Sequence, residues 1–450
     1  MSDKPAPWWH PKFNILGTSN GRKTAFFLLY LTEGIPNGFA CVAIVAQMRR
    51  QGLPISLVGG FAAAFVLPWA FKWAMGPFVD LFYCERLGRR RLWILIMQAM
   101  MCVTLLAVMP FDIVEHIKWL TILVIVHNIF AATQDVAIDA LACDTLEEHE
   151  RGVVNGLMFA GAYTGEAIGG AGVLFLLGIG LTLNIACLAV VAVILSITLL
   201  VTMRLGEKPL PERVSFQGSR AYELAMELLA YCIEAFKAFF GSRRSLIGLG
   251  VALLPTGAYA LSLVLCTNLS LELGMTDKVI AQVVFMGTMI VVPSCVLGGY
   301  LSDKLGRRKI LVMSVLGTAI PSLMLAWAMH RQGWIMPVPL DQVNRPDPGD
   351  TLIHVYVVAI ALFSFFHGII RGTRSAMFMD ICHPAVAATQ FTAYMALMNL
   401  VVAFATKWQC SIVEKIGYPK TLLIDVSIGM LCLLLIPFMT KHEVVAKTEA

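Results

Sequence analysis

The sequence predicts an all-α, polytopic membrane protein of twelve transmembrane helices, arranged as two pseudo-symmetric six-helix bundles. Three observations lead there. Of the 450 residues, 58% are hydrophobic and 14% charged, and the mean hydropathy of +0.76 exceeds what a soluble domain of this length needs to fill a core. Apolar runs of about 20 residues, enough to cross a bilayer, recur twelve times. One loop signature appears twice, about half a chain apart, as a duplicated architecture requires.

The runs lie near residues 24–48, 54–79, 92–111, 119–141, 152–177, 179–203, 245–268, 279–302, 310–330, 353–377, 386–408 and 421–440. The first is too long for a signal peptide and has no small-residue cleavage pattern, so it is expected to stay as a spanning helix. With an even number of spans both termini share a side. That side carries 22 of the 34 Lys and Arg and the other carries 8, with four inside spans; the positive-inside rule then places both termini in the cytoplasm. The net charge of +5 is spread over short runs between apolar stretches, which sets topology and does not suggest nucleic acid as a partner. The 11 Cys are scattered, mostly in apolar segments, without the spacing of a zinc site, and read as small packing residues. No metal or cofactor is expected.

The longest connection, residues 204–244, divides the chain into an N-terminal bundle (1–203), a cytoplasmic linker (204–244) and a C-terminal bundle (245–450). In the second half of this linker, Glu223, Glu227, Glu234 and Lys237 fall opposite Leu228, Leu229, Ile233, Phe236 and Phe240. This is the pattern of an amphipathic helix on the cytoplasmic membrane surface, or of a plain linker helix.

The repeated signature is Gly-x-x-x-Asp followed by Leu-Gly-Arg-Arg. Its first copy runs from Gly76 through Asp80 to Arg89 and Arg90, and its second from Gly299 through Asp303 and Gly306 to Arg307 and Arg308. Glycine lets helix ends approach closely, the carboxylate can hold a neighbouring helix end, and the arginines anchor at headgroups. Such a loop can gate the cytoplasmic side, or simply set orientation. Arg151, opening span five, is a candidate cation for the gate; the matching position in the second half is Ala387. Two six-helix halves with this loop at equivalent places resemble the major facilitator superfamily, and the second copy fits that family's form better than the first, which has an insertion after Asp80.

Ionisable residues inside the spans carry the functional expectation. Asp135 and Asp139 are four residues apart, about 6 Å along a helix, and share a face. A charge at the bilayer centre costs roughly 2.5–3.5 kcal/mol even on the lenient scale, so that face must meet protein or water. Asp135, a turn deeper, is the sharper candidate. Glu33, Lys72, Glu166, Arg371 and Arg374 are embedded too. They form either structural ion pairs, for instance Lys72 with Asp139, or a solvated pathway where a carboxylate gains and loses a proton while cations hold an anionic solute. Lys407 and Asp425 lie near outer ends. His127 and His367, lone among apolar residues, read as packed and hydrogen-bonded.

Three segments narrow the resemblance. "LPWAFKWAMGPFVD" (Leu67 to Asp80), "AATQDVAIDAL" (Ala131 to Leu141) and "AATQFTAYMALMNL" (Ala387 to Leu400) look like the muropeptide permease branch, which includes acetyl-coenzyme A transporters and siderophore importers. The resemblance implies a proton-driven permease of the bacterial inner membrane importing a sizeable polar solute. It maps the family's functional motif onto Thr133, Gln134, Asp135, Ala137 and Asp139, and a second onto Leu67, Pro68 and Lys72. Span one, "LTEGIPNGFA", with Glu33 and Asn37, leans toward the siderophore or acetyl-coenzyme A relatives, so the substrate stays open.

The expected mechanism is alternating access by a monomer in the bilayer, working on a small molecule and protons. Pro-Gly interruptions at Gly34-Ile35-Pro36 and at Leu253 to Ala260 line the expected cavity, where Tyr259 offers a hydroxyl. A membrane-embedded enzyme is disfavoured: "GTSNG" (Gly17 to Gly21) matches G-x-S-x-G literally but follows no strand, and no metalloprotease or phosphate-loop motif occurs. A non-transporting receptor on the same scaffold is the other class.

Overall fold

Lipid offers no hydrogen-bond partner, so an apolar segment that enters it must satisfy its backbone internally, and a helix does so. The computed structural model describes residues 14–53, 55–84, 87–207, 220–262, 264–338, 346–383 and 386–439, and among them the long regular elements are all helical. In chain order they are α1 (Ser19–Met48), α2 (Ile55–Ala70), α3 (Gly76–Leu81), α4 (Arg90–Val108), α5 (Ile117–Thr145), α6 (Glu148–Gly178), α7 (Leu183–Arg204), α8 (Arg220–Phe240), α9 (Arg243–Ala252), α10 (Val264–Glu272), α11 (Lys278–Leu305), α12 (Arg307–Arg331), α13 (Gly349–Ile381), α14 (Thr389–Ile416) and α15 (Tyr418–Phe438). Side-chain oxygens start several of them. Thr18 caps α1 through the Gly21 N–H at 3.1 Å, and Ser242 caps α9 through the Ser245 N–H at 3.1 Å, each satisfying a donor that the helix leaves open. The literal G-x-S-x-G string is therefore a helix start, with Thr18 in the capping role and Ser19 the first helical residue.

Ten helices among the described residues, α1, α4–α7 and α11–α15, are long and apolar enough to cross a membrane. The second apolar run is interrupted where no break was expected, and the seventh is interrupted at the Pro-Gly stretch marked in the sequence. Span two stops at Ala70, turns through a 3-10 segment at Lys72–Met75 and resumes as α3. Span seven breaks between α9 and α10, where Pro255 lacks an N–H and Gly257 takes φ 95°, a conformation that favours glycine. In contrast α1 runs on through Pro36 and only widens into a π-turn over Phe39–Ile44. Large apolar side chains such as Phe175, Trp327 and Phe404 stay about two-thirds exposed, a surface suited to acyl chains and unlike that of a soluble monomer.

The chain divides into two compact units. The first takes its described residues from Met1–Glu147, Leu157–Ala238 and His383–Ala396, and the second from Glu148–Gly156, Phe239–Cys382 and Leu397–Ala450. In the first, α5 packs against α2 and α4 around a core that includes Phe39, Phe61, Leu120 and Ile194. There α1 and α6 touch backbone to backbone: a Cβ on Gly165 or Gly169 would strike the main chain of Leu31 or Ile35, and one on Gly34 or Gly38 that of Ala162 or Glu166. Small residues permit such an approach between helices in lipid. In the second unit, α13 packs between α11 and α12 over a core containing Leu325, Tyr356, Phe363 and Tyr418.

Candidate functional site

The buried α5 face of the first unit gathers the charges that its sequence spacing put in register. Asp135 and Asp139 are 3% and 1% exposed. The break after α2 sends Lys72 inward, where its Nζ lies 2.6 Å from Asp135 Oδ2 and 5.8 Å from the Trp69 ring centroid. Trp69 itself donates to Asn128 Oδ1 at 3.1 Å. Lys72 therefore pairs with Asp135, not with Asp139. Asp139 Oδ1 instead accepts the Tyr30 hydroxyl at 2.5 Å. From α1, Glu33 has its Oε2 enclosed without a partner among the described residues. Gln134 donates to Thr32 Oγ1 at 3.0 Å and holds α5 to α1. Glu166 sits elsewhere on the α1–α6 contact, close to Cys41.

The second unit holds the basic counterpart. His367, Arg371 and Arg374 recur at i, i+4 and i+7 of α13 and share a face. Arg371 Nε donates to His367 Nε2 at 3.1 Å, and Arg374 Nη1 donates to the Tyr259 hydroxyl at 2.9 Å. Tyr259 belongs to the broken stretch of span seven. That stretch is fastened by the Gly257 N–H on Gly429 O at 3.2 Å, the Ala258 N–H on Thr318 Oγ1 at 3.0 Å and the Ala260 N–H on Asp425 Oδ2 at 3.0 Å. Asp425 also accepts from Gln409 Nε2 at 2.7 Å. Sequence reading set Asp425 aside as a span-end residue; here it is 2% exposed and anchors the unwound backbone. His127 is hydrogen-bonded to Thr104 at 2.9 Å.

The two loop signatures build different contacts. In the first unit Arg90 lies 2.6 Å from Asp80 and 3.0 Å from Asp144, with Arg89 at 3.4 Å from Asp80. Asp80 also accepts the hydroxyls of Tyr231, from α8, and of Thr389, and Gly76 lies directly against Thr389. Glu207 accepts the N–H groups of Arg89, Arg90 and Arg91 at 3.0, 3.0 and 2.6 Å, an anionic cap on α4. In the second unit Asp303 accepts the N–H groups of Gly152 and Val153 at 2.9 and 2.8 Å, and Gly299 meets the Gly152 backbone. Arg307 pairs with Asp303 at 3.2 Å and with Asp380, after Gly306 turns the chain at φ 96°. Arg151 is directed at Asp380, 2.9 Å away, and not at Asp303. Arg308 reaches the Pro437 carbonyl at 3.2 Å on the surface. At the position matching Arg151 stands Ala387, and the hydroxyls of Tyr231 and Thr389 take up Asp80.

Tyr231 and Glu207 were missed by sequence reading, since both lie in a connection with no repeat to compare. The helix expected in that connection is α8. Its Leu229, Ile233, Phe236 and Phe240 are exposed, while Tyr231 and Ala235 are buried beside Leu81 and Val386; the side chains of Glu223, Glu227 and Leu228 lie outside the described residues.

Comparison with known proteins agrees with this architecture. The chain is 21% identical to putative transporter AmpG 4 of Rickettsia felis over 92% of its own length and 95% of the relative's. To the anhydromuropeptide permease of Escherichia coli K12 it is 24% identical, over 84% of this chain and 71% of that one. The solved proton:xylose symporter XylE, bound to 6-bromo-6-deoxy-D-glucose, superposes with a TM-score of 0.66 at 14% identity, covering 94% of this chain and 97% of that chain. Residues 25–406 match the profile of the Major Facilitator Superfamily. The chain belongs to that superfamily, as a multi-pass membrane transporter and not an enzyme.

Proposed function

We propose that this transporter is a proton-coupled importer of a sizeable polar organic solute, muropeptide-like in character, acting by alternating access. The observation that carries the reading is the buried Lys72–Asp135 pair with Glu33, Asp139 and Tyr30 around it. Protonation of Asp135 removes the charge that holds Lys72, and the ammonium then turns to Asp139 or Glu33, whose carboxylates interact electrostatically with it. A proton thus exchanges one ion pair for another, which is the discrete rearrangement that a coupled carrier requires. The names of the relatives support the substrate and the coupling: a permease for anhydromuropeptides and a proton:sugar symporter. In this reading twelve spans form two six-helix halves, spans two and seven being the broken ones, with the boundaries 1–203, 204–244 and 245–450. The protein works as a monomer in the inner membrane with both termini cytoplasmic, and the two loop signatures act as cytoplasmic gates.

The test is uptake of radiolabelled anhydromuropeptide into proteoliposomes under an inward proton gradient. Accumulation above equilibrium that collapses with a protonophore supports the reading. Flux that only equilibrates, whatever the gradient, removes the coupling; accumulation of a siderophore or an acyl-coenzyme A instead keeps the coupling and replaces the substrate.

A further inference from the structure

Arg374 is 4% exposed, yet it forms no ion pair among the described residues. Its one hydrogen bond there runs from Nη1 to the Tyr259 hydroxyl, 2.9 Å away. Its Nε is enclosed without any partner. Asp425 of α15, the carboxylate that fastens the broken segment, is already engaged by the Ala260 N–H and by Gln409. The other ionisable groups on this α13 face are His367, whose Nε2 accepts from Arg371 Nε and so carries no proton there, and Arg371, which adds positive charge.

Which edge of the guanidinium lacks a partner among the described residues matters. Nη1 lies on the Cδ side, and Tyr259 occupies it. The opposite edge presents Nε–H and Nη2–H as two parallel donors, the fork that matches both oxygens of a carboxylate. An arginine enclosed in a spanning helix with that fork unpartnered has a full charge and no counter-charge among the described residues, a state a bilayer-embedded segment avoids unless an anion arrives. Tyr259 also fixes the plane of the fork, so the site is organised before any ligand binds.

We propose that the Nε–Nη2 edge of Arg374 receives a carboxylate of the transported solute, so that the substrate is an organic anion and not a neutral sugar. This rests on the transport reading but not on muropeptide as the substrate. An organic acid is held there by two charge-assisted hydrogen bonds that its amide cannot reproduce, while neighbouring Arg371 strengthens the field.

The experiment is thermal unfolding of the purified full-length protein against a matched library: anhydromuropeptides, carboxylate siderophores, sugar acids and acidic acyl compounds, each beside its neutral amide. At least one acid is expected to bind about tenfold or more tightly than its amide, read from the concentration dependence of stabilisation. Arg374→Gln should lose that preference, and Arg374→Lys, a single point donor, should keep only part of it. If the preferred acid is not a muropeptide, the muropeptide reading falls and the anion site stands. Equal binding of acid and amide, no stabilisation by any acid, or an undiminished preference in Arg374→Gln overturns the proposal. Should Arg374→Gln not fold, an undiminished preference in Arg374→Lys overturns it equally.

Discussion

Lys72 Nζ and Asp135 Oδ2 stand 2.6 Å apart with both side chains buried, although 63 residues separate them in the chain. A pair of this kind is weak support for stability as such, but losing one partner strands the other. Replacing Lys72 with Met, or Asp135 with Asn, should each destabilise the protein, by up to about 3–5 kcal/mol for the change that strands a charge. The double variant should cost less than the two single changes together, leaving a coupling of about 1 kcal/mol or more. Unfolding in detergent of the four proteins measures this, and additive losses would show that the two groups act independently.

The Tyr30 hydroxyl meets Asp139 at 2.5 Å. Tyr30→Phe removes the donor and leaves the carboxylate, so a loss of about 1.5–3 kcal/mol is expected. Asp139→Asn keeps an acceptor for the hydroxyl and should cost less. The reverse order in the same unfolding measurement would mean that Asp139 is held by something other than Tyr30.

Glycines of α6 separate cleanly into two kinds. A Cβ at Gly169 collides with the Ile35 carbonyl, whereas one at Gly178 meets nothing within 4 Å. Gly169→Val should therefore lower the folded yield and destabilise by about 1–3 kcal/mol or more, with Gly178→Ala near neutral. Monodisperse yield on size exclusion compares them directly; a well-behaved Gly169→Val would contradict the close α1–α6 approach.

The fold was largely legible because lipid imposes one solution on any long apolar run, and the ten continuous helices follow from that. The break in span seven was legible in Pro255 and Gly257, whereas the one in span two was not, since hydropathy averages over the turn at Lys72. Helical spacing put Asp135 and Asp139 on one face. It gave no information on partners from other helices, so the choice of Asp135 for Lys72 and of Tyr259 for Arg374 came only from tertiary structure. Asp425 illustrates the limit well: its depth in span twelve pointed to an outer end, while its bond to Ala260 depends on a break elsewhere in the chain.

Tyr231 reports on the linker helix through pH. Burial, then the Asp80 carboxylate, push its hydroxyl well above the ordinary value, so folding favours the neutral form. The stability it contributes is fully present below about pH 10, the unfolded value, and is lost as pH rises toward the folded one. A tyrosinate absorbance titration of wild type minus Tyr231→Phe should show no ionisation at pH 10 while the protein stays folded. A difference that titrates near pH 10 would place the hydroxyl in solvent.

Proton movement driven by the solute tests most directly whether Asp135 and its lysine carry the coupling. Proteoliposomes loaded with a pH-sensitive dye, held without a proton gradient, receive external anhydromuropeptide. Interior acidification in wild type, and none in Asp135→Asn protein that still inserts and folds, is the predicted result. Solute influx with no pH change in wild type, or acidification by Asp135→Asn at the wild-type rate, would contradict it.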